Sequence, residues 1–274
     1  MSSPVSVPLN SPVTLTTVRA RRLVVVGDIH AQAEKFWRML REAGLADADA
    51  NPTPELSEGH THLVLLGDLV HAKSRAHYAA LIGEGSFDEY DPPQLDRAER
   101  AQEAFLRAVK RFCDGASENV TLLLGNHDHN ALTGAEGVLR SDDLSHLEWR
   151  ASGRTLPDDL RLWLATWPSE LLVNGVHFAH VGPKGEHNRY DAGFYLENRR
   201  DWILSGENIM AETPYRFGVY GHTPVRGGAH FASQGHALLL DMNGFGDEYA
   251  YLTLTFEGDE LGLELRGVFL SIRL

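Results

Sequence analysis

Three runs constrain this chain more than anything else in it: "RRLVVVGDIH" at 21–30, "HTHLVLLGDLVH" at 60–71 and "NVTLLLGNHDH" at 119–129. Each contains a short, unbroken apolar stretch that stops on a glycine and turns at once to carboxylates, amides and imidazoles. Such a run, rich in Val and Leu and without polar alternation, reads as a strand buried on both faces. Between the first two lies "AQAEKFWRMLREAGL", which sets Phe36, Met39, Leu40 and Ala43 at helical spacing, with Gly44 as the C-terminal cap. Between the second and third lies "QLDRAERAQEAFLRAVKRFC", an amphipathic helix with Ala101, Phe105, Ala108, Val109 and Phe112 inward. Buried strands alternating with helices imply an α/β class with a partly parallel sheet.

The rest of the chain reads differently. "PDDLRLWLATW" after Pro157 is a short helix, and "SELLVNGVHFAHVG" is a hairpin turning on Asn174-Gly175. "YRFGVYGHTPV", "HALLLDMNGFG" and "EYAYLTLTFEGDELGLELRGVFL" are further strands, so the C-terminal part is expected to be mostly antiparallel. Residues 1–20 lack the basic leader and compact apolar stretch of a signal peptide and read as a flexible arm or edge segment. Residues 21–274 read as a single domain, with insertions near 71–93 and 128–156 laid over one face.

Composition narrows the function. A formal net charge of −13 does not attract a nucleic-acid backbone through its overall field, which counts against general nucleic-acid binding, and it suits bound divalent cations. No apolar run approaches the length of a membrane span. The single cysteine, Cys113, excludes an internal disulfide, reads as a core thiol, and favours a cytoplasmic home.

Five strand ends carry the polar punctuation: "GDIH" with Asp28 and His30, "GDLVH" with Asp68, "GNHD" with Asn126 and His127, "FAHVG" with His180, and "YGHTP" with His222. In open α/β sheets, sites form where the carboxyl ends of strands and their loops converge. Glycine before the polar residue lets the backbone turn sharply and approach closely. Two divalent cations held close together repel; a shared carboxylate between them, with carboxylates and neutral imidazoles outside, makes the pair tolerable. Any one of these fragments is a common turn. All five, in order, each closing an expected strand, point to a metal site.

At these residues the chain resembles the calcineurin-like metallophosphoesterases, from Arg22 to about Phe256. The resemblance implies an α-β-β-α sandwich, with a mixed, partly parallel central sheet and an antiparallel C-terminal sheet. It also implies two divalent metal ions, manganese foremost, with iron, zinc, cobalt or nickel as alternatives. By that resemblance Asp28 and His30 bind the first ion, Asp68 bridges both, and Asn126, His180 and His222 bind the second. His127 is the acid that protonates the leaving group, while a hydroxide bridging the metals attacks phosphorus in line.

The branch is read from two departures. Many phosphodiesterases of the superfamily end the last motif as GHxH, whereas "GHTPV" has Pro224 in that place; this resembles the phosphoprotein-phosphatase branch, which includes diadenosine tetraphosphatases. That branch usually shows GDxVDRG at the second motif, but here the chain reads "GDLVHAK". The carboxylate that orients the catalytic His is replaced by His71, whose neutral imidazole still accepts a hydrogen bond, and the phosphate-binding Arg is replaced by Ala72. Lys73 is a point charge and not a bidentate fork. Arg189, Arg199 and Arg200 are the candidate replacements for substrate binding, with His71. The expected substrate is a small phosphorylated molecule, a phosphomonoester or a dinucleoside polyphosphate; a serine/threonine protein phosphatase or a phosphodiesterase of the same fold are the alternatives.

Overall fold

The computed structural model describes residues 15–17, 20–134, 138–139, 144, 148–149, 154–183, 206–241 and 248–268. Its strands are β1 (Leu15–Thr17), β2 (Arg22–Val26), β3 (His62–Leu65), β4 (Val120–Leu122), β5 (Glu170–Val173), β6 (Val176–Ala179), β7 (Phe217–Tyr220), β8 (Ala229–Ala232), β9 (Ala237–Leu240), β10 (Tyr249–Glu257) and β11 (Glu260–Val268). Its α-helices are α1 (Ala33–Glu42), α2 (Pro54–Ser57), α3 (Arg75–Ile82), α4 (Pro92–Gly115), α5 (Asn126–Thr133) and α6 (Asp158–Leu164).

The first sheet has the order β11-β10-β2-β3-β4, with β2, β3 and β4 parallel and β10 antiparallel to β2. Alternate residues of its central strands serve two cores, which explains their unbroken apolar runs. Val24, Val26, Leu63 and Leu65 pack with Phe36, Met39 and Leu40 of α1 and Phe105, Val109 and Phe112 of α4. Leu23, Val25, Val64 and Leu66 face the other way, against Leu171, Phe178, Val219, Leu238 and Leu240 of the second sheet. At roughly 25 cal/mol per Å² of apolar surface, a fully buried Val or Leu contributes about 1.5–3 kcal/mol, so this double burial holds the layers together. On the outer face of the second sheet, Tyr220, Ala237 and Leu239 pack under Met210 of a short 3-10 turn.

The second sheet runs β1-β5-β6-β7-β9-β8. The hairpin β5–β6 turns on Asn174 and Gly175, both at positive φ, as read from the sequence. The antiparallel C-terminal sheet is corrected to a mixed one: β6, β7 and β9 run parallel, and the antiparallel pair β10–β11 joins the first sheet instead. Parallel strands cannot be joined by a hairpin loop, and β6 and β7 are well separated in the chain. Leu15–Thr17, in the N-terminal stretch, pair in parallel with β5 as an edge strand. The stretch 71–93 contains α3, which ends at Gly83 in the left-handed conformation. No helix among the described residues is long and apolar enough to cross a membrane.

Candidate metal centre

The parallel strands of both sheets deliver their carboxyl ends to one place. Asp28 and His30 follow β2, Asp68 and His71 follow β3, His180 follows β6 and His222 follows β7. Asn126 and His127 lie not on a turn but in the first turn of α5, directly after Gly125. Asp128 explains that geometry: its carboxylate accepts the backbone N–H groups of Gly125, Asp68 and Leu69 at 3.2, 2.7 and 2.9 Å. It starts the helix and staples the loop after β3 to it. His30, Asp68, His71 and His222 all have positive φ, at 48, 52, 65 and 64°. Left-handed backbone is uncommon for residues with a side chain, and its clustering here marks a place where position outweighs conformational ease. Side chains are excluded where the backbone must pass close by: a Cβ at Gly125 would collide with the Asp68 carboxylate, and one at Gly221 with that of Asp28.

Asp28, His30, Asp68, Asn126 and His180 are almost completely buried, and their acceptor atoms face one another. His30 donates through Nδ1 to the carbonyls of Val70 and His71, at 3.3 and 3.0 Å. Its Nε2 lone pair is thereby turned towards Asp28 Oδ2 and Asp68 Oδ2, each 3.8 Å away. His180 donates through Nδ1 to the Leu66 carbonyl at 2.9 Å. Its Nε2 lies 3.3 Å from Asp68 Oδ2, 3.0 Å from Asn126 Oδ1 and 3.3 Å from His222 Nδ1. Asn126 Nδ2 donates to the Val138 carbonyl at 2.9 Å, which commits Oδ1 to the same point. Imidazole lone pairs, an amide oxygen and a carboxylate thus converge on Asp68 from two sides. While the imidazoles are neutral these groups only accept and cannot satisfy one another; a cation between them, a proton on His180 or a metal ion, can. Backbone-anchored imidazoles with the other nitrogen turned inward are the usual arrangement of metal-binding histidines. The donor set of oxygen and imidazole nitrogen suits divalent first-row ions.

The electrostatics agree. Burial, then the facing Asp241, pushes Asp28 well above the carboxylate range. Burial opposes the charge on Asp68, but His180, His127 and His30 around it hold its pKa well below the ordinary value. Burial likewise opposes charge on His180, yet Asp68 and Asp28 bring it up to about 9. A field that draws a proton onto a buried imidazole draws a metal ion equally.

His127 stands beside these groups, its ring nitrogen within 4.8 Å of the ligand atoms of His30 and Asp68. Its Nε2 is 3.9 Å from Asp68 Oδ2 and accepts from Lys73 Nζ at 2.8 Å. Its Nδ1 meets Nδ1 of His71 at 3.0 Å. His71 is fully buried behind it, so the expected direct contact of His71 with substrate has no room. His71 Nε2 faces the Glu148 carboxylate at 3.4 Å, and its backbone N–H donates to Gln102 Oε1 at 2.6 Å. Gln102 Nε2 donates to both oxygens of Glu148 at 3.0 Å. One proton assignment fits the line: Lys73 donates to His127 Nε2 and His127 Nδ1–H to His71 Nδ1, while His71 Nε2 stands near Glu148 without a hydrogen bond to it. Burial, then Lys73, holds His127 well below the ordinary imidazole range, and burial brings His71 down to about 3. Burial pushes Glu148 up to about 8, against the hydrogen bonds from Tyr78 and Gln102.

Sequence reasoning missed Glu148, Gln102 and Asp241. Asp241 stands in "LLLDMNG" at the end of β9, where an isolated parallel bridge joins it to Asp28; the repeat of an apolar run ending on a carboxylate was the available signal. Arg189, Arg199 and Arg200 lie outside the described residues.

The sequence model of the family described as calcineurin-like phosphoesterase matches residues 21–249. A search of curated proteins finds no sequence match. Among solved structures, a cold-active protein-tyrosine phosphatase of a psychrophilic Shewanella species is similar at TM-score 0.58 and 17% identity, over 93% of this chain and 82% of that one. A protein serine/threonine phosphatase from Saccharomyces cerevisiae is similar at TM-score 0.53 and 12% identity, over 95% of this chain and 84% of that one. At such identities the likeness shows the fold alone.

Proposed function

The chain belongs to the calcineurin-like phosphoesterases, a family of binuclear metal-dependent hydrolases, and from that premise we propose that it cleaves a phosphomonoester or a dinucleoside polyphosphate at a two-metal centre. In this reading Asp28 and His30 hold one ion, Asn126, His180 and His222 hold the other, and Asp68 is shared. Bound there, the ions supply Lewis acidity towards the phosphoryl oxygens and an activated water as nucleophile. The observation that carries the reading is the convergence of His180 Nε2, Asn126 Oδ1 and His222 Nδ1 beside the Asp68 carboxylate. Manganese is the ion expected to support turnover best, and a cytoplasmic location belongs to the same proposal, resting on a chain with a single cysteine.

His127 serves as the acid. Its ring is held from behind by His71, which in turn lies against Glu148; the pair takes the part of the single carboxylate that the family motif places at residue 71. Lys73 Nζ, 2.8 Å from His127 Nε2, resupplies the proton that His127 passes to a leaving oxygen in this reading. Pro224 brings no ligand atom, which sets the diesterase reading second. A panel of p-nitrophenyl phosphate, bis-p-nitrophenyl phosphate, ATP, diadenosine tetraphosphate and a phosphoserine peptide, run with metal analysis of the same sample, tests the reading. Two ions per chain and a monoester or polyphosphate preference are expected; a protein that binds no metal and hydrolyses none of the panel refutes it.

A further inference from the structure

A groove of about 870 Å³ opens beside the metal centre, with His30 and Ala72 at its inner end. Its size is that of a small-molecule site. One wall is α1, from which Lys35, Arg38 and Arg41 line the groove; the opposite wall is α3, with His77 and Leu81. The three recur every third residue over about 9 Å of helix at 1.5 Å rise per residue; Lys35 Nζ is buried, so Arg38 and Arg41 carry the charge open to the groove. Glu34 is the one carboxylate on the lining among the described residues.

Elsewhere among the described residues several arginines are matched to carboxylates, as in Arg22–Glu55, Arg75–Glu89, Arg97–Glu84 and Arg107–Asp159. Arg38 and Arg41 have no carboxylate partner among the described residues; Arg38 is laid over the Tyr249 ring at 4.8 Å, and its Nε is buried without a hydrogen-bond partner. At the inner end, Ala72 stands where the family motif has its phosphate-clamping arginine. A substrate held at the metal centre therefore lacks a clamp on the reacting phosphate but meets cations further along.

We propose that the groove between α1 and α3 binds the part of the substrate beyond the scissile phosphate, and that this part is a chain of linked phosphates, as in a nucleoside or dinucleoside polyphosphate. The proposal rests on the phosphoesterase reading above and adds the substrate class to it. Anionic groups in line match cations in line. A phosphopeptide, which brings one dianion and a neutral backbone, gains little from them. Salt screens such contacts, so binding weakens as ionic strength rises.

Two measurements test this on the full-length, metal-loaded protein. In the first, calorimetry follows binding of the non-hydrolysable β,γ-methylene analogue of ATP and of orthophosphate. The analogue is expected to bind at least tenfold tighter, with Arg38→Gln and Arg41→Glu each weakening it about tenfold and Arg111→Glu, exposed on α4 and off the groove, leaving it unchanged. In the second, the ratio of kcat/KM on ATP or diadenosine tetraphosphate to that on p-nitrophenyl phosphate is compared across the same variants; a tenfold fall with Arg41→Glu is expected. Inorganic tripolyphosphate run beside ATP tells whether the nucleoside contributes. Equal affinity for analogue and orthophosphate, a ratio unmoved by either groove variant, or a phosphopeptide preferred over every polyphosphate overturns the proposal. Charge-dependent binding of the analogue by a protein that hydrolyses nothing would refute the phosphoesterase reading and leave the groove standing, so the two failures are separable.

Discussion

Asp28, His30, Asp68, Asn126, His180 and His222 all stand within a few residues of a strand end, whereas the groups around His127 come from elsewhere: His71 and Lys73 from a loop, Gln102 from the middle of α4, Glu148 from a distant segment. The first set is placed by the sheets. Its positions follow from where the strands end. The second set is placed by packing around one buried imidazole. A role filled that way can be filled by other residues, and in this chain an imidazole and a buried carboxylate stand where the family motif uses one carboxylate. The comparison separates what the chemistry cannot exchange from what it can.

The contrast can be broken at its strongest point first. Asp68→Asn is expected to abolish turnover and to lower metal content, because Asp68 is the carboxylate both clusters share; metal analysis beside a p-nitrophenyl phosphate assay checks this, and two retained ions with near-normal rate would break the scheme. Next, His127→Asn should keep both ions yet lose about 10²–10⁴-fold in kcat, the usual worth of a general acid. The loss should be smaller for nitrophenyl than for alkyl phosphates, since nitrophenolate leaves without much help; equal losses would remove His127 from the role.

A smaller effect sharpens the comparison. Glu148→Gln should lower kcat by no more than about tenfold on an alkyl phosphate, ~1.4 kcal/mol of barrier, with KM and metal content unchanged. The same variant should be more stable than the parent above pH 6. The folded protein holds the Glu148 proton to about 8, while the unfolded chain releases it in the ordinary carboxylate range. The parent therefore loses stability as pH climbs between those values, and glutamine removes that dependence. Thermal melts at pH 5 and 8 measure it; a purely structural Glu148 would lower melting temperature and leave the leaving-group dependence untouched. Least of all, His71→Asp combined with Glu148→Gln should return kcat to within about threefold of the parent. His71→Asp alone sets two buried carboxylates against each other and should not. Non-additivity of the pair is the readout.

The legible and illegible parts of the chain divide along the same line. The strands β2, β3 and β4, helices α1 and α4 and the hairpin on Asn174-Gly175 could be read because burial on two faces, or helical periodicity, writes itself locally. The parallel order of β6, β7 and β9 could not, since a four-residue apolar strand says nothing about its neighbour's direction. Asn126 and His127 were found as residues at a strand end; the helix they begin depends on Asp128 capping Gly125 and on the loop after β3 being near, which is a tertiary fact. Glu148 had no signal at all, because nothing in the spacing of 71 and 148 brings them together. The three cations of α1 were visible as a polar helix face, and only α3 standing opposite makes that face a wall.

The bridge between Asp28 and Asp241 joins the end of β2 to the end of β9, and so fastens one sheet to the other at the rim where the proposed ligands gather. His180 and His222 reach that rim from the second sheet, Asp28, His30 and Asp68 from the first. A cation held among them acts as a rivet through both layers. Whatever binds the folded form and not the unfolded one stabilises it by mass action. Metal supply would then govern how long the molecule survives as well as how fast it works: with the rivets drawn, the two layers would come apart first at the end where the substrate enters.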